Sequence, residues 1–340
     1  MSFLAVPAYA AYACSMASPL LLGALVLSET PLRLGGDVSV VDYTSGGAPG
    51  DFAQSLKATG FAVLTNHPIK YSLIEQVYDE WREFLTSGLA DQAKYERSME
   101  TQDGYFSMAR AESAKGQTLQ DLKQYYQLYF PRGRYPEEVS DRARVLFHQM
   151  LELGRELLQW IDEHMDAATR EQLRTNNVTR LAETLDPTNT MMRILRYPPY
   201  DPELAAPGAT RASAHEDINL ITLLPSGSAR GLELRDHRTG EWREVPLVPE
   251  ALIINIGDML EQMSNGEYRA TSHRVVVPAD EDVSSDRMSI PTFLHPFSST
   301  YLSPKYATAD AFLTERLIEL GVLTPEQVAE KKRQAVAAEI

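Results

Sequence analysis

Apolar positions along this chain follow two different periods, and the change falls near Asn177. Up to that point the spacing is mainly helical. The alternating run Val38 to Tyr43 predicts a short strand, and the Gly/Pro-rich SGGAPG after it predicts a turn. A helix is expected from about Asp51, with Phe52, Leu56 and Thr59 on one face. A buried strand at Phe61 to Thr65 and an amphipathic helix at Tyr71 to Leu85 follow. Arg142 to Asp166 carries Val145, Leu146, Met150, Leu153, Leu157, Trp160 and Ile161 on one broad stripe, the pattern of a long core-facing helix. The stretch Gln102 to Pro131 is rich in Tyr and Phe without a clean period, and it is expected to cross the surface of a core.

Beyond Asn177 the texture becomes short β-type runs separated by Pro, Gly and Asp: MMRILRY, INLITLL, LELRD, EVPLV, ALIINI, ATSHRVVV and MSIPTFLH. Many short strands at this spacing predict an all-β core with helical additions (α+β), a sandwich or jelly roll. The expected organisation is an N-terminal extension over 1–36, a helical region over 37–176, a jelly-roll core over 177–300 and a C-terminal helical segment over 301–340. The GGAPG turn lacks the full dinucleotide-binding spacing and opens onto no convincing βαβ unit, which discards a Rossmann reading.

Composition narrows the function classes. With 32 Lys+Arg against 47 Asp+Glu, the formal charge of −15 opposes attraction to phosphate backbones, so no nucleic-acid partner is expected. The single cysteine, Cys14, forbids an intrachain disulfide and any cysteine-based zinc site, and it fits a reducing compartment. The first thirty residues are apolar and alanine-rich, but no Lys or Arg precedes Arg33 and the run Pro19 to Leu27 is too short to span a bilayer. A loosely ordered extension or an upstream start codon is expected there, with a cleaved signal as the alternative; a cytoplasmic protein without stable membrane insertion follows.

Candidate chemistry sits in SAHEDINLITLLP, where His215 and Asp217 stand two residues apart. On a strand, positions i and i+2 share a face, so an imidazole and a carboxylate can reach one ion while Glu216 points away. A second histidine, His273 in TSHRVVVP, can return across a sheet to complete a triad. Two His and one carboxylate on one triangular face leave the opposite face of an octahedral iron open, the arrangement of non-haem Fe(II) oxygenases. In DRMSIPTF, Arg287 and Ser289 again stand at i and i+2, and a guanidinium with a hydroxyl on one face can bind a carboxylate. A surface salt bridge is the alternative for Arg287.

Several motifs in order make the chain similar to the isopenicillin N synthase-like branch of the Fe(II)/2-oxoglutarate-dependent oxygenases. HEDINLITLL resembles its HxD strand, NIGDMLEQMSNGEYRATSHRVV the segment leading to its second histidine, RMS its RxS motif, GFAVLTNHPI the start of its N-terminal helical region, and ILRYPPY the strand that supplies a pocket tyrosine. The resemblance covers about Val38 to Pro296 and implies a double-stranded β-helix. It implies His215, Asp217 and His273 as iron ligands, and Arg287, Ser289 and Tyr197 as anchors of 2-oxoglutarate. The implied reaction uses Fe(II), 2-oxoglutarate and dioxygen to oxidise an unactivated C–H bond of a small organic molecule, releasing succinate and CO2. Hydroxylation is the usual outcome, with desaturation or cyclisation as variants.

Two departures stand out: Leu195 occupies a position where plant members usually have Asn, and the insert ADEDVSSD between His273 and Arg287 predicts an extended hairpin loop. For the substrate, Arg193 shares a strand face with Tyr197, and a buried arginine needs an anion, either a protein carboxylate or a carboxylate on the substrate. Tyr105 lies in the aromatic stretch that could roof the cavity, and Phe293 and His295 follow the co-substrate strand at the pocket's border. His67, His148, His164 and His237 read as structural. Three rival functions stay open at this level: a 2-oxoglutarate-independent Fe(II) oxidase, a non-catalytic jelly-roll binding protein, and a zinc hydrolase.

Overall fold

The computed structural model describes residues 38–98, 101–108, 123–199, 210–227, 230–278, 284–321, 323–328 and 333. The extension expected over 1–36, most of the acidic insert and Cys14 therefore lie outside the described residues. The helices are α1 (Ala48–Thr59), α2 (Tyr71–Thr86), α3 (Arg142–His164), α4 (Ala167–Thr175), α5 (Leu181–Thr184), α6 (Asp258–Met263) and α7 (Ala309–Glu319). In α3 the stripe Leu146, Met150, Leu153, Leu157 and Ile161 is buried; each such side chain contributes about 1.5–3 kcal/mol on leaving water. Val145, expected on that stripe, is exposed, because it lies one residue and therefore a quarter turn away from Leu146. Helix α1 starts earlier than expected, inside the predicted turn. Pro49 sits in its first turn, where no amide hydrogen is required.

The strands are β1 (Val40–Asp42), β2 (Phe61–Thr65), β3 (Gly104–Phe106), β4 (Gln124–Tyr129), β5 (Met191–Tyr197), β6 (Ala212–His215), β7 (Ile221–Pro225), β8 (Leu232–Arg235), β9 (Trp242–Glu244), β10 (Leu252–Ile256), β11 (His273–Val275), β12 (Arg287–Ser289) and β13 (Thr292–Leu294). They form a major sheet in the order β1-β2-β10-β7-β13-β5-β4-β3, with β12 also paired to β5, and a minor sheet in the order β6-β11-β8-β9. This is the large mixed β core with added helices of a jelly roll. Phe61, Val63 and Ile253 from the major sheet pack with Leu232, Leu234 and Val275 from the minor one, which fixes the seam between the sheets. The opposite face of the major sheet, with Ile194, Leu223, Ile254 and Leu294, packs with helical residues such as Trp81 and Leu157.

Two sequence expectations need correction. Gln102 to Pro131 contributes strands rather than a surface crossing: β3 pairs with β4, and β4 pairs with β5 along its full length. Both strands are buried almost throughout, so no alternation was available to be read. The run EVPLV is not a strand beyond Glu244, because Pro246 offers no amide hydrogen to a ladder.

Strand parity then decides what faces the interior. The ladder partners Tyr125–Leu195, Gln127–Arg193, Arg287–Tyr197, Ser289–Leu195 and Phe293–Thr222 place these side chains on one side of the major sheet. Thr222–Asn255 and Asn255–Phe61 continue the same side to the seam. The inner face thus runs from apolar at the seam, through two polar residues, to an aromatic and cationic wall.

Candidate metal centre and its pocket

His215 closes β6 and His273 opens β11, and the two residues are direct partners across the minor sheet, with ring centroids 4.4 Å apart. Asp217 lies just past the end of β6 rather than on it, and its Oδ1 stands 3.8 Å from Nε2 of His215 and 3.9 Å from Nε2 of His273. One ligand atom from each residue lies within 4.8 Å of the others, close enough to hold a single ion. Glu216, between them, is exposed. Two imidazoles and one carboxylate match the donor set of a divalent transition metal with open positions.

Each imidazole is held in one tautomer. Nδ1 of His215 contacts the carbonyl of Ser213 at 2.7 Å, and Nδ1 of His273 contacts that of Thr271 at 3.0 Å. Because a carbonyl only accepts, both Nδ1 atoms carry a proton, and Nε2 is the ring atom that each histidine turns toward Asp217 as a candidate ligand. Desolvation by the surrounding protein, with the neighbouring His273, pushes the proton affinity of His215 down to about 4 even though 40% of its side chain meets solvent. Burial alone would raise Asp217, but His273, His215 and hydrogen bonds from Asn255 and Thr222 hold it below its usual carboxylate range.

The support behind the triad is specific. The Thr222 hydroxyl donates to Oδ2 of Asp217 at 2.6 Å and Nδ2 of Asn255 donates to the same oxygen at 2.8 Å, which leaves Oδ1 for the ion. Phe61 packs edge-on against His273. Thr271 is held in turn by the carbonyl of Thr59 at 2.8 Å and by Nε2 of His237 at 2.7 Å. This close approach needs Gly60, whose φ of 74° ends α1 and whose added Cβ would stand 2.0 Å from Oγ1 of Thr271.

Arg287 is buried, contrary to the surface salt-bridge alternative, and its guanidinium donates to the carbonyl of Arg230 at 2.7 Å. It lines a small cavity with Ser289, Leu224, Leu232, Val245 and Ile253. A guanidinium and a hydroxyl among aliphatic walls suit a carboxylate that must leave water. Tyr197, opposite Arg287 in the ladder, is buried in a cluster with Phe106, Tyr125 and Leu195.

Arg193 lies on the same inner face. Its guanidinium stacks over the rings of Tyr125 at 4.4 Å and Phe293 at 5.6 Å, and it donates to Oε1 of Gln127 at 2.7 Å. Tyr105 behaves differently from the expectation: it packs in the helix-side core and donates to Oε1 of Gln124, so the aromatic residue that β3 turns inward is its neighbour Phe106. Sequence reasoning missed Thr222, Asn255 and Gln127. A signal existed for Asn255, the only polar residue in the otherwise apolar run LIINI.

Fold and site together define a jelly-roll metalloenzyme of the non-haem oxygenase class. A family model described as the 2OG-Fe(II) oxygenase superfamily matches residues 188–296, and one described as the N-terminal part of a non-haem dioxygenase in morphine synthesis matches residues 50–148. The chain is 30% identical over 252 residues to jasmonate-induced oxygenase 4 of Arabidopsis thaliana, covering 72% of this chain and 67% of that protein. It spans about two thirds of the length of the plant relatives it matches. A Shewanella oneidensis protein assigned as an oxygenase has a solved structure that superposes with a TM-score of 0.74 at 40% identity, over 84% of this chain and 100% of that one. A full-length Neurospora crassa protein solved in complex with alpha-KG and thymine shares the fold, with a TM-score of 0.68 at 21% identity over 83% and 97% of the two chains. The chain belongs to the Fe(II)- and 2-oxoglutarate-dependent oxygenase superfamily. Among the described residues, no helix is long and apolar enough to cross a membrane.

Proposed function

We propose that His215, Asp217 and His273 hold the catalytic Fe(II), that Arg287, Ser289 and Tyr197 hold the far carboxylate of 2-oxoglutarate, and that a small carboxylate-bearing molecule is oxidised at a C–H bond, with hydroxylation the primary outcome. The observation that carries this reading is the convergence of three ligand atoms within 4.8 Å in a fold that also buries Arg287 and Ser289 on the inner face of the major sheet. Iron with 2-oxoglutarate and dioxygen supplies the oxidation itself, releasing succinate and CO2.

The chain's residues supply geometry and electrostatics. The carbonyls of Ser213 and Thr271 aim the two Nε2 lone pairs, and Thr222 with Asn255 restricts Asp217 to one ligand oxygen. Arg287 offsets the charge of a carboxylate in a cavity that aliphatic side chains line beside Ser289. Arg193, held by Gln127 and stacked on Tyr125 and Phe293, supplies the cation that a substrate carboxylate meets. The Neurospora protein was solved with thymine beside alpha-KG, which supports a small organic molecule here.

The test is oxygen uptake and succinate release by purified protein with Fe(II) and 2-oxoglutarate, in the presence and absence of a carboxylate-rich metabolite extract. Stimulated, stoichiometric succinate release is expected. Arg193→Met should lose the stimulation by the extract yet keep the slow, substrate-free consumption of 2-oxoglutarate. Absence of 2-oxoglutarate turnover in the wild type overturns the reading, and equal stimulation of Arg193→Met removes the carboxylate assignment.

A further inference from the structure

A third imidazole repeats the geometry of the two histidines at the metal centre. His295 follows β13 two residues after Phe293, in backbone extended enough for Pro296 to bridge to Leu185, so strand alternation puts it on the inner face with Phe293 and Arg193. Its Nδ1 contacts the carbonyl of Phe293 at 3.0 Å, the same two-residue return that His215 makes to Ser213 and His273 makes to Thr271. Here too the carbonyl can only accept, so Nδ1 carries the proton. Burial lowers the ring's affinity for a second proton. With Nδ1 committed to that carbonyl, the neutral ring, which burial favours, offers Nε2 as an acceptor.

In the triad that acceptor serves the metal. His295 lies outside the group of ligand atoms that converge within 4.8 Å, and no described residue donates to its Nε2. His295 is half-buried, and an acceptor on this inner face that no described residue serves has two partners available to it, water or a molecule bound against that face.

We propose that Nε2 of His295 accepts a hydrogen bond from the primary substrate, which therefore bears an O–H or N–H donor in addition to the carboxylate met by Arg193. The substrate class is a hydroxy acid, an amino or amido acid, or an N–H heterocyclic acid, read between a cation at Arg193 and an acceptor at His295. This rests on the substrate site proposed above. His295 is a specificity residue in this scheme, since it discriminates by leaving its acceptor unpaired when a substrate lacks the donor.

The experiment uses the anaerobic enzyme loaded with Fe(II) and 2-oxoglutarate, and ligand-observed NMR with a panel of matched probes. Benzoate is compared with its three hydroxybenzoates, butyrate with 3- and 4-hydroxybutyrate, and every acid with its methyl ester. At least one hydroxylated acid is expected to bind about tenfold more tightly than its parent, the size of one buried hydrogen bond. His295→Asn, whose amide can still reach the Phe293 carbonyl but which lacks an acceptor at the Nε2 position, should reduce that ratio to about one. His295→Gln, which places an amide oxygen near Nε2, should restore part of it and supplies the reading should the Asn variant unfold. A preference that survives His295→Asn, or no preference for any hydroxylated probe in the wild type, overturns the proposal. Esters binding as tightly as acids, with a hydroxyl preference that still follows His295, would instead remove the carboxylate reading and leave this one standing.

Discussion

Asn255 reaches across from β10 to donate from Nδ2 to Oδ2 of Asp217 at 2.8 Å, while Thr222 occupies the same oxygen from β7 at 2.6 Å. The two donors are ladder partners, so the sheet itself fixes their spacing. With Oδ2 taken twice, Asp217 presents Oδ1 alone. Removing both donors in Thr222→Val with Asn255→Ala leaves a buried oxygen unsatisfied and frees the carboxylate to rotate. Metal affinity should fall about 10- to 100-fold, the usual effect of losing outer-shell partners. A chelator-competition titration with Co(II) measures this, and unchanged affinity in the double variant would show that the clamp has no influence on the ion.

Neighbouring acids should separate sharply. Asp217→Ala removes a candidate ligand and should abolish turnover and bound iron. Glu216→Ala, at an exposed side chain next to it, should keep most of both. Iron content per chain and succinate release decide it, and equal losses in the two variants would mean the wrong carboxylate has been assigned.

Arg287→Leu should leave metal binding intact and weaken 2-oxoglutarate. A carboxylate placed in that cavity without its cation loses about 2–5 kcal/mol by analogy with broken buried ion pairs, which is a rise of roughly 30-fold or more in its KM. A KM within twofold of wild type, with iron retained, would move the anchor elsewhere.

The grouping of His215, Asp217 and His273 was legible in the sequence because strand parity and the position of two apolar strands constrain where those side chains can meet. Even so, β6 stops at His215, and the convergence of Asp217 depends on the Thr222 and Asn255 clamp as much as on the pleat. The placement of Arg193 beside Phe293 was partly legible from the face it shares with Tyr197. Its partner Gln127 was not, since β4 is buried on both faces and an aromatic run without alternation reveals neither strand nor register. Tyr105 and Phe106 show the same limit: adjacent residues on a strand face opposite ways, and only the register with β4 decides which one turns inward.

Asp286 joins three elements at the entry to β12. It accepts from Nε of Arg82 on α2 at 3.1 Å and from Nε of Arg196 on β5 at 2.6 Å, so one carboxylate serves two cations immediately before Arg287. Asp286→Asn leaves two arginines competing for a neutral amide. Because Arg82 is partly open to solvent, the loss should be about 1–2 kcal/mol, below that of a fully buried pair. Urea unfolding reads the stability, and the KM for 2-oxoglutarate should rise with it as β12 loosens. A destabilised variant with unchanged KM would confine Asp286 to holding α2 on the sheet.

Asp162 gives the pH dependence of stability a recognisable component. Burial pushes its carboxyl up to about 6, against the opposing effect of hydrogen bonds from the amides of Leu181 and Ala182. Between the unfolded value of about 4 and the folded value, the native state binds more protons than the unfolded chain. This group therefore favours folding most below about pH 4, and its contribution declines as pH rises to about 6, beyond which the ionised carboxylate carries the full burial penalty. Asp162→Asn keeps an oxygen to accept from Leu181, 2.7 Å away in the wild type, and removes the ionisation. The variant should melt above the wild type at pH 7.5 and lose that advantage near pH 4. Thermal unfolding of both proteins across pH 4–8 measures the difference, and a Tm gap that does not change with pH would mean that Asp162 titrates at its ordinary value in the folded protein.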